Sequence, residues 1–181
     1  MDPADILALS GATFEAEYLE DISLRRLVLE HYDQEQIPLR RYLTFLGLDG
    51  DTVRELVQES FLKLHEHLLA GGDRRNLRAW LYRVAHNLAR NAQSAARASK
   101  TDPLPDVLSS SAASIEDELL ERERLERLRN AVEQLSTAQR ECLALRAQGL
   151  KYREIADVLS ISVSTVGENI QRGLERLKDL V

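Results

Sequence analysis

Apolar residues recur at every third or fourth position through residues 76–91, which is the spacing of one face of an α-helix. This predicted apolar face consists of Leu77, Trp80, Leu81, Val84, Ala85 and Leu88. A separate stripe of the same helix is basic or amide-bearing and consists of Arg83, His86, Asn87, Arg90 and Asn91. Positive charge and hydrogen-bond donors on one stripe suit a polyanion, so the pattern predicts a nucleic-acid surface. A solvated amphipathic helix would give the same pattern.

Another amphipathic helix is predicted over residues 51–69, after a shorter one over residues 39–48 that Gly47 and Gly50 end. The inward stripe of the longer helix is predicted to be Val53, Leu56, Val57, Ser60, Phe61, Leu64 and Leu68. Its outward face then carries Arg54, Glu55, Gln58, Glu59, Leu62, Lys63 and Glu66. Such a face usually serves solubility, but Leu62 among acidic and amide side chains also fits a protein-docking site.

The C-terminal residues have the layout of a helix-turn-helix. A short helix over residues 152–159 leads into a turn at 160–162, and Ser162 is a favourable N-cap for the next helix. The apolar residues of that helix are Val166, Ile170, Leu174 and Leu177. The polar residues that face away from them are Ser164, Thr165, Glu168, Asn169 and Arg172. These are positions from which a recognition helix contacts base edges, so DNA binding is favoured over a plain helical hairpin.

Composition predicts an all-α fold of two small helical domains. Of the 181 residues 44% are hydrophobic, and no stretch sustains the alternation that strands require. Residues 94–114 are rich in Ser, Ala and Pro, which indicates a flexible linker. We therefore predict an acidic arm at 1–23, a helical domain at 24–98, a linker at 99–114 and a helix-turn-helix domain at 115–181, opened by a charged helix.

The net charge of −6 is unevenly distributed along the chain. Residues 1–35 carry 9 acidic and 2 basic side chains, whereas residues 36–100 carry 6 acidic and 11 basic ones. Residues 101–134 carry 9 acidic and 4 basic side chains, and residues 135–181 carry 6 and 7. Both segments with nucleic-acid patterns are therefore basic or neutral, and the whole-chain charge does not argue against DNA binding.

Several functional classes find no support in the sequence. No apolar run approaches the roughly 20 residues of a membrane span, and no basic-then-apolar leader opens the chain, so a cytoplasmic location is expected. Cys142 is expected to be a buried structural residue. His65 and His67 are two positions apart, on different sides of a helix, and make a poor metal pair. With no glycine-rich phosphate loop either, we expect no metal, no cofactor and no enzymatic activity.

Four segments, in order, resemble the motifs of extracytoplasmic-function sigma factors of the housekeeping-type sigma family. They are residues 56–64 (LVQESFLKL), 78–87 (RAWLYRVAHN), 135–140 (LSTAQR) and 152–156 (YREIA). Their order and spacing match over roughly residues 24–181, with a linker in the expected place. The resemblance implies a bacterial subunit that directs transcription initiation.

The resemblance also implies a role for each domain. Region 2, at 24–98, would dock on the β′ clamp of core RNA polymerase through Glu55, Gln58, Glu59 and Leu62. It would read and open the −10 promoter element, with a base extruded from the stack. The candidate −10 contacts are Arg74, Arg75, Asn76, Arg78, Arg83, His86, Asn87 and Arg90. Region 4, at 115–181, would touch the β flap and place the polar face of its last helix in the −35 element, and an anti-sigma factor is a further candidate partner.

One stretch departs from the family pattern. Residues 164–169 read STVGEN where many relatives have Gly-Thr-Val-Lys-Ser-Arg, so the usual cations are absent. Glu168 would be repelled by phosphate, yet a carboxylate can accept from a cytosine amino group, which is compatible with a different promoter base. Two other protein classes stay open on the sequence alone. They are a one-component DNA-binding regulator and a sigma-like interaction protein that does not start transcription.

Overall fold

The computed structural model of the chain describes the backbone of residues 3–98 and 126–180, and the side chains of residues 21–97 and 126–180. The helices of these two segments are α1 (Pro3–Phe45), α2 (Gly50–Leu69), α3 (Leu77–Ala98), α4 (residues 126–133), α5 (Thr137–Ala147), α6 (Tyr152–Leu159) and α7 (Val163–Leu180). No strand occurs in the described part of the chain, and the all-α prediction is confirmed. The predicted linker at 99–114 lies outside the described residues.

The N-terminal half is a three-helix unit in which α2 packs between α1 and α3. Asp49 caps α2, because its carboxylate accepts from the backbone N–H groups of Asp51 and Thr52 at 3.1 and 3.0 Å. The inward stripe of α2 is confirmed, since every residue predicted for it is buried. Leu64 on α2 and Leu81 on α3 are completely inaccessible to solvent, so the contact between these helices is a dry apolar core.

The first helix differs from the prediction. The helix predicted over residues 39–48 belongs to α1, which runs from Pro3 to Phe45 and passes through Pro38. Proline removes one backbone donor from a helix, so it weakens the helix locally without ending it here. Gly47 follows α1 with φ +84, a left-handed conformation that glycine adopts without strain, and it turns the chain towards α2.

The C-terminal half contains the predicted helix-turn-helix, built from α6 and α7 on α5. Ser160 has φ +55 and ends α6, and the Ser162 hydroxyl accepts from the Thr165 N–H at 3.1 Å to begin α7. The predicted inward face of α7 is wrong at Leu174, which is 47% exposed. Gly173 is buried in its place, because the helix turns its glycine towards Leu143 of α5.

Buried residues of the two halves pack against each other. Helix α3 packs against α6, and α1 touches α5. Buried residues of both halves, such as Tyr42, Tyr82, Leu145 and Ile155, belong to a single apolar cluster. Cys142 is fully buried in that cluster, as predicted for a structural cysteine. Among the described helices, none has the length and apolar character needed to cross a membrane.

Candidate nucleic-acid interface

The outward face of α2 is arranged as predicted. Glu55 and Gln58 are exposed, and Leu62 is 56% exposed. Glu59 is half-buried and pairs with Lys63 at 3.5 Å. An exposed leucine flanked by acidic and amide side chains suits protein docking better than nucleic-acid binding, because carboxylates repel phosphate.

An aromatic residue that the helical periodicity did not predict packs against α2 from α1. Tyr32 on α1 is 38% exposed, and its ring meets the Phe61 ring edge-on with centroids 4.9 Å apart. Phe61 belongs to the buried stripe of α2, so Tyr32 is an exposed aromatic residue on the α1 side of that helix. The only available signal was the aromatic residue itself, since the periodic pattern did not extend α1 back to it.

A cleft of about 320 Å³ lies between the loop at residues 70–76, helix α3 and helix α6. Its lining residues are His67, Asp73, Arg75, Asn76, Ala79, Trp80, Arg83 and Asp157. Arg75, Asn76 and Arg83 were predicted as promoter contacts, whereas the other lining residues, His67, Trp80 and Asp157 among them, were not. The cleft combines an indole and a methyl group with charged and amide groups, which is the mixture that a nucleobase and its phosphate require.

An ion pair organises the loop beside the cleft. Arg75 Nη2 lies 2.8 Å from Asp73 Oδ2, and the Asp73 carboxylate also accepts from Arg75 Nε and from its backbone N–H. The hydrogen bonds from Arg75 lower the pKa of Asp73 to about 2. Asn76 has φ +57, and its backbone carbonyl accepts from Trp80 N at 3.1 Å at the start of α3. Arg75 therefore reaches DNA only by sharing or leaving Asp73.

The stripe predicted on α3 divides into exposed and buried positions. Arg83 and Asn87 are exposed. His86 is only 3% exposed, and its Nδ1 lies 2.8 Å from the Tyr42 hydroxyl. The expectation that His86 lies on the exposed stripe is wrong, because Tyr42 gives it a hydrogen-bond partner inside the core. Burial, followed by the nearby Arg90 charge, lowers the pKa of His86 to about 4, so the ring is neutral at pH 7.

Two further cations of α3 are engaged with other helices. Arg78 Nε lies 2.7 Å from Glu35 Oε1 of α1, and Arg78 Nη2 donates to the carbonyl of Gln148 in the C-terminal half. The first contact is an ion pair without the alignment of a linear hydrogen bond. Arg90 is exposed, with Nη1 3.8 Å from Glu141 Oε1 of α5. In this arrangement the C-terminal half covers part of the surface predicted to bind DNA.

The polar face of α7 is also arranged as the sequence predicted. Ser164, Thr165, Glu168 and Arg172 are exposed, and Asn169 is half-buried. The hydroxyls of Ser164 and Thr165 lie 2.8 and 2.7 Å from the Ser162 hydroxyl, so both take part in the N-cap. Arg172 Nη2 is 3.7 Å from Glu168 Oε2 on the preceding turn, so the two side chains form an exposed ion pair.

Comparison with known proteins gives the family. The chain matches the description Sigma-70 region 2 over residues 31–99 and Sigma-70, region 4 over residues 125–177. It is 32% identical over 151 residues to the RNA polymerase sigma factor SigZ of Bacillus subtilis (strain 168), covering 83% of this chain and 84% of that protein. It is 30% identical over 147 residues to the ECF RNA polymerase sigma-E factor of Haemophilus influenzae, covering 71% and 74%.

A solved structure agrees on the fold. The sigma factor RpoE from Bartonella quintana, in complex with the anti-sigma factor NepR, superimposes with a TM-score of 0.64 at 23% identity, covering 83% of this chain and 94% of that one. The chain belongs to the extracytoplasmic-function sigma factors. It is a sigma factor that directs transcription initiation, in a family that is not generally enzymatic.

Proposed function

We propose that this sigma factor docks on the β′ clamp of core polymerase through the outward face of α2. The observations that support it are the 56% exposure of Leu62 and the exposed acidic and amide groups Glu55 and Gln58 on the same face of α2. An apolar centre with a polar rim is how stable protein interfaces are built. Glu59, half-buried and paired with Lys63, serves the rim of this surface.

The observation that carries the promoter assignment is the cleft between the 70–76 loop and α3. The Trp80 ring and the Ala79 methyl group offer apolar surface to a base, while Arg83 at the rim offers charge to its phosphate. Arg74, Arg75, Asn76 and Asn87 complete the proposed −10 surface. Movement of the C-terminal half would release Arg78 from Gln148 and Arg90 from Glu141, while Arg78 would keep its ion pair with Glu35 of α1.

Helix α7 takes the −35 element in this proposal. Its exposed N-terminal polar face points away from the helices that hold it, as a major-groove reader requires. Glu168 accepts from a base, and Arg172 beside it offsets the repulsion between that carboxylate and the phosphates. The C-terminal half also touches the β flap.

The proposal extends to a further protein partner and to the place where the chain acts. An anti-sigma factor is a proposed partner, supported by the fold shared with a sigma factor solved together with one. The chain works in the cytoplasm, where core polymerase is found, and it supplies no catalytic group, so the polymerase performs the chemistry. Within the described residues no cluster of His, Cys, Asp and Glu side chains is arranged to hold a metal ion.

Run-off transcription with reconstituted holoenzyme tests the proposal. Core enzyme with this chain is expected to produce a defined transcript from promoters selected out of a random library, and core alone is not. Core binding without a transcript on any template would instead identify a sigma-like interaction protein. A specific shift of duplex DNA by the chain alone, without transcription, would identify a one-component regulator.

A further inference from the structure

His67 connects the 70–76 loop to α3. The imidazole ring is stacked on the indole of Trp80, with ring centroids 4.5 Å apart and planes 25° from parallel. Its Nε2 lies 3.1 Å from the backbone carbonyl oxygen of Asp73. Because a carbonyl only accepts, Nε2 is the donor in this hydrogen bond. One side chain at the end of α2 therefore holds both the loop and the helix that frame the cleft.

Gly72 provides independent support for this arrangement. Its φ is outside the left-handed region, so the backbone does not require glycine at this position. Glycine is required by the lack of space, because a Cβ on residue 72 would overlap the His67 ring. The three atoms nearest to that Cβ all belong to the ring. The Gly72 N–H donates to the His67 carbonyl at 2.9 Å, which fixes the close approach. The glycine is needed for the ring to lie where it does.

The contacts of His67 determine where the cleft residues lie. Asp73, whose carbonyl His67 holds, binds the Arg75 guanidinium through its carboxylate, and Asn76 follows in a left-handed turn that leads into α3. A shift of the loop at Asp73 therefore moves Arg75 and Asn76 together. Base recognition tolerates displacements of only about 0.5 Å, so a small shift changes which base fits.

We propose that His67 is a positioning residue for the −10 element. By joining the Asp73 carbonyl to the Trp80 ring, it fixes the 70–76 loop at the distance from α3 that sets which base the cleft accepts. The inference rests on the proposed role of this loop in −10 reading. If His67 only stabilised the fold, its loss would lower protein stability and leave the base preference of the holoenzyme unchanged.

Two substitutions separate the two contacts of His67. His67→Gln keeps a donor near the position of Nε2 but loses the ring, whereas His67→Phe keeps a ring on Trp80 but loses the donor. The readout is the base preference at each −10 position, measured by transcription from a promoter library with reconstituted holoenzyme. We expect His67→Phe to reduce the discrimination at one position by about 5- to 10-fold and His67→Gln to retain more of it. Equal activity loss on all promoters would overturn the proposal.

Trp80 supplies a measurement that does not depend on DNA. It is the single tryptophan of the chain, so its fluorescence reports on its own surroundings. The emission of Trp80 is expected to change in His67→Gln, where the stacked ring is lost, and to change less in His67→Phe. Identical emission of all three proteins would show that His67 does not lie against Trp80 in solution.

A double-mutant cycle tests the link with Gly72. Gly72→Ala alone should displace the His67 ring and reduce −10 discrimination about as much as His67→Ala does. In the His67→Ala background, Gly72→Ala should add little, since the ring it would meet is gone. Gly50→Ala is the matched control, because a Cβ on Gly50 meets nothing within 4 Å. Additive effects of the two substitutions would contradict a role of Gly72 in placing the His67 ring.

Asn76→Gly distinguishes a failure of this inference from a failure of the proposed function. Glycine keeps the left-handed turn at residue 76 and removes only the side chain. A preference changed by Asn76→Gly but not by the His67 variants would leave the loop as the −10 reader and overturn the role of His67. A preference changed by none of them would remove the loop from −10 reading altogether.

Discussion

The Tyr42 hydroxyl and the Nδ1 of His86 lie 2.8 Å apart, and this contact ties α1 to α3 inside the core. Tyr42 is fully buried, and burial raises its pKa well above the ordinary range, so the hydroxyl keeps its proton. His86 is neutral at pH 7, because burial lowers its pKa to about 4, and the tautomer of the ring decides which of the two atoms donates. A histidine that the sequence pattern favoured for DNA contact is thus a structural residue, and its contribution to the stability of the fold depends on pH.

The first prediction concerns acid stability. Since the folded-state pKa of His86 lies below the ordinary histidine value, its stabilising contribution is complete above about pH 6.5 and is lost as pH falls towards 4. The loss amounts to up to about 3 kcal/mol of unfolding free energy. Chemical denaturation at pH 7, 5.5 and 4 measures it. His86→Asn keeps a side-chain amide that can donate to or accept from Tyr42 but does not titrate, so its stability should fall less.

The comparison between wild type and variant matters because another group opposes the effect. Burial raises the pKa of Glu141, so its protonation stabilises the folded state as the pH falls. A pH dependence of His86→Asn equal to that of wild type would show that His86 is not the titrating group.

A second prediction uses the two glycines of α7. A Cβ on Gly167 would lie 3.8 Å from the nearest atom of Tyr152, an ordinary contact, whereas one on Gly173 would lie 2.8 Å from Leu143 Cδ1. Gly167→Ala should therefore raise the free energy of unfolding by about 1 kcal/mol through helix propensity. Gly173→Ala has the same favourable change in helix propensity, but overpacking against Leu143 costs about 1–3 kcal/mol, so this variant should be no more stable than wild type. The midpoints of chemical denaturation of the two variants measure this difference. Equal stabilisation by both would show that the Leu143 side chain changes its conformation at little cost.

Much of this fold could be predicted from periodicity and capping. The inward stripe of α2, the Ser162 cap and the order of α6 and α7 depend on local patterns, which the sequence displays directly. Leu174 was assigned inward because it is apolar, but Gly173 allows closer approach to α5. Apolar character predicts burial less well where a small residue lets two helices meet.

The candidate site was less predictable, because its partners are distant in sequence. Nothing local indicates that Tyr42 would bury His86, or that the carbonyl of Gln148 and the carboxylate of Glu141 would engage Arg78 and Arg90. The same holds for His67, which looks like a poor metal ligand in sequence and stacks on Trp80 in the structure. Contacts between α3 and the C-terminal half decide which cations are available.

A third prediction concerns polymerase docking. Leu62→Asp places a charge on the exposed face of α2 and leaves its buried stripe intact. It should weaken binding of core polymerase by roughly 1–3 kcal/mol, as expected for an apolar anchor. Ile37→Asp, at an isoleucine of α1 that is 54% exposed and outside every proposed contact, is the control. Equal binding of core by wild type and a folded Leu62→Asp protein would remove the assignment.

A fourth prediction concerns the part of the −10 surface that the C-terminal half covers. Asp157 of α6 is exposed and lines the cleft, where its charge repels phosphate. Asp157→Asn should increase binding of a −10 single strand to the free protein by about 2- to 5-fold at low salt, and less at high salt. Asp179→Asn, an exposed acid at the end of α7, should leave it unchanged. An equal increase in binding in both variants would show that only the net charge of the protein matters, and not the position of Asp157.

The last prediction concerns Glu168, which stands exposed on the polar face of α7 with its carboxylate 3.7 Å from the Arg172 guanidinium. A carboxylate that accepts from a base contributes roughly 1–3 kcal/mol of discrimination at one position, so Glu168→Gln should change the preferred −35 sequence in a promoter library. Glu175→Gln, at an exposed acid further along the same helix, should not.

The opposite substitution separates base reading from phosphate repulsion. If Glu168 only repels phosphate, Glu168→Lys strengthens binding to all sequences alike and steepens the salt dependence, because one added cation releases about one more counterion. If Glu168 reads a base, Glu168→Lys instead changes the order of preferred sequences. The ion pair favours base reading, since Arg172 offsets the repulsion that would otherwise keep the carboxylate away from DNA. If Glu168→Gln leaves the −35 base preference unchanged and Glu168→Lys strengthens binding to all sequences equally, Glu168 only repels phosphate.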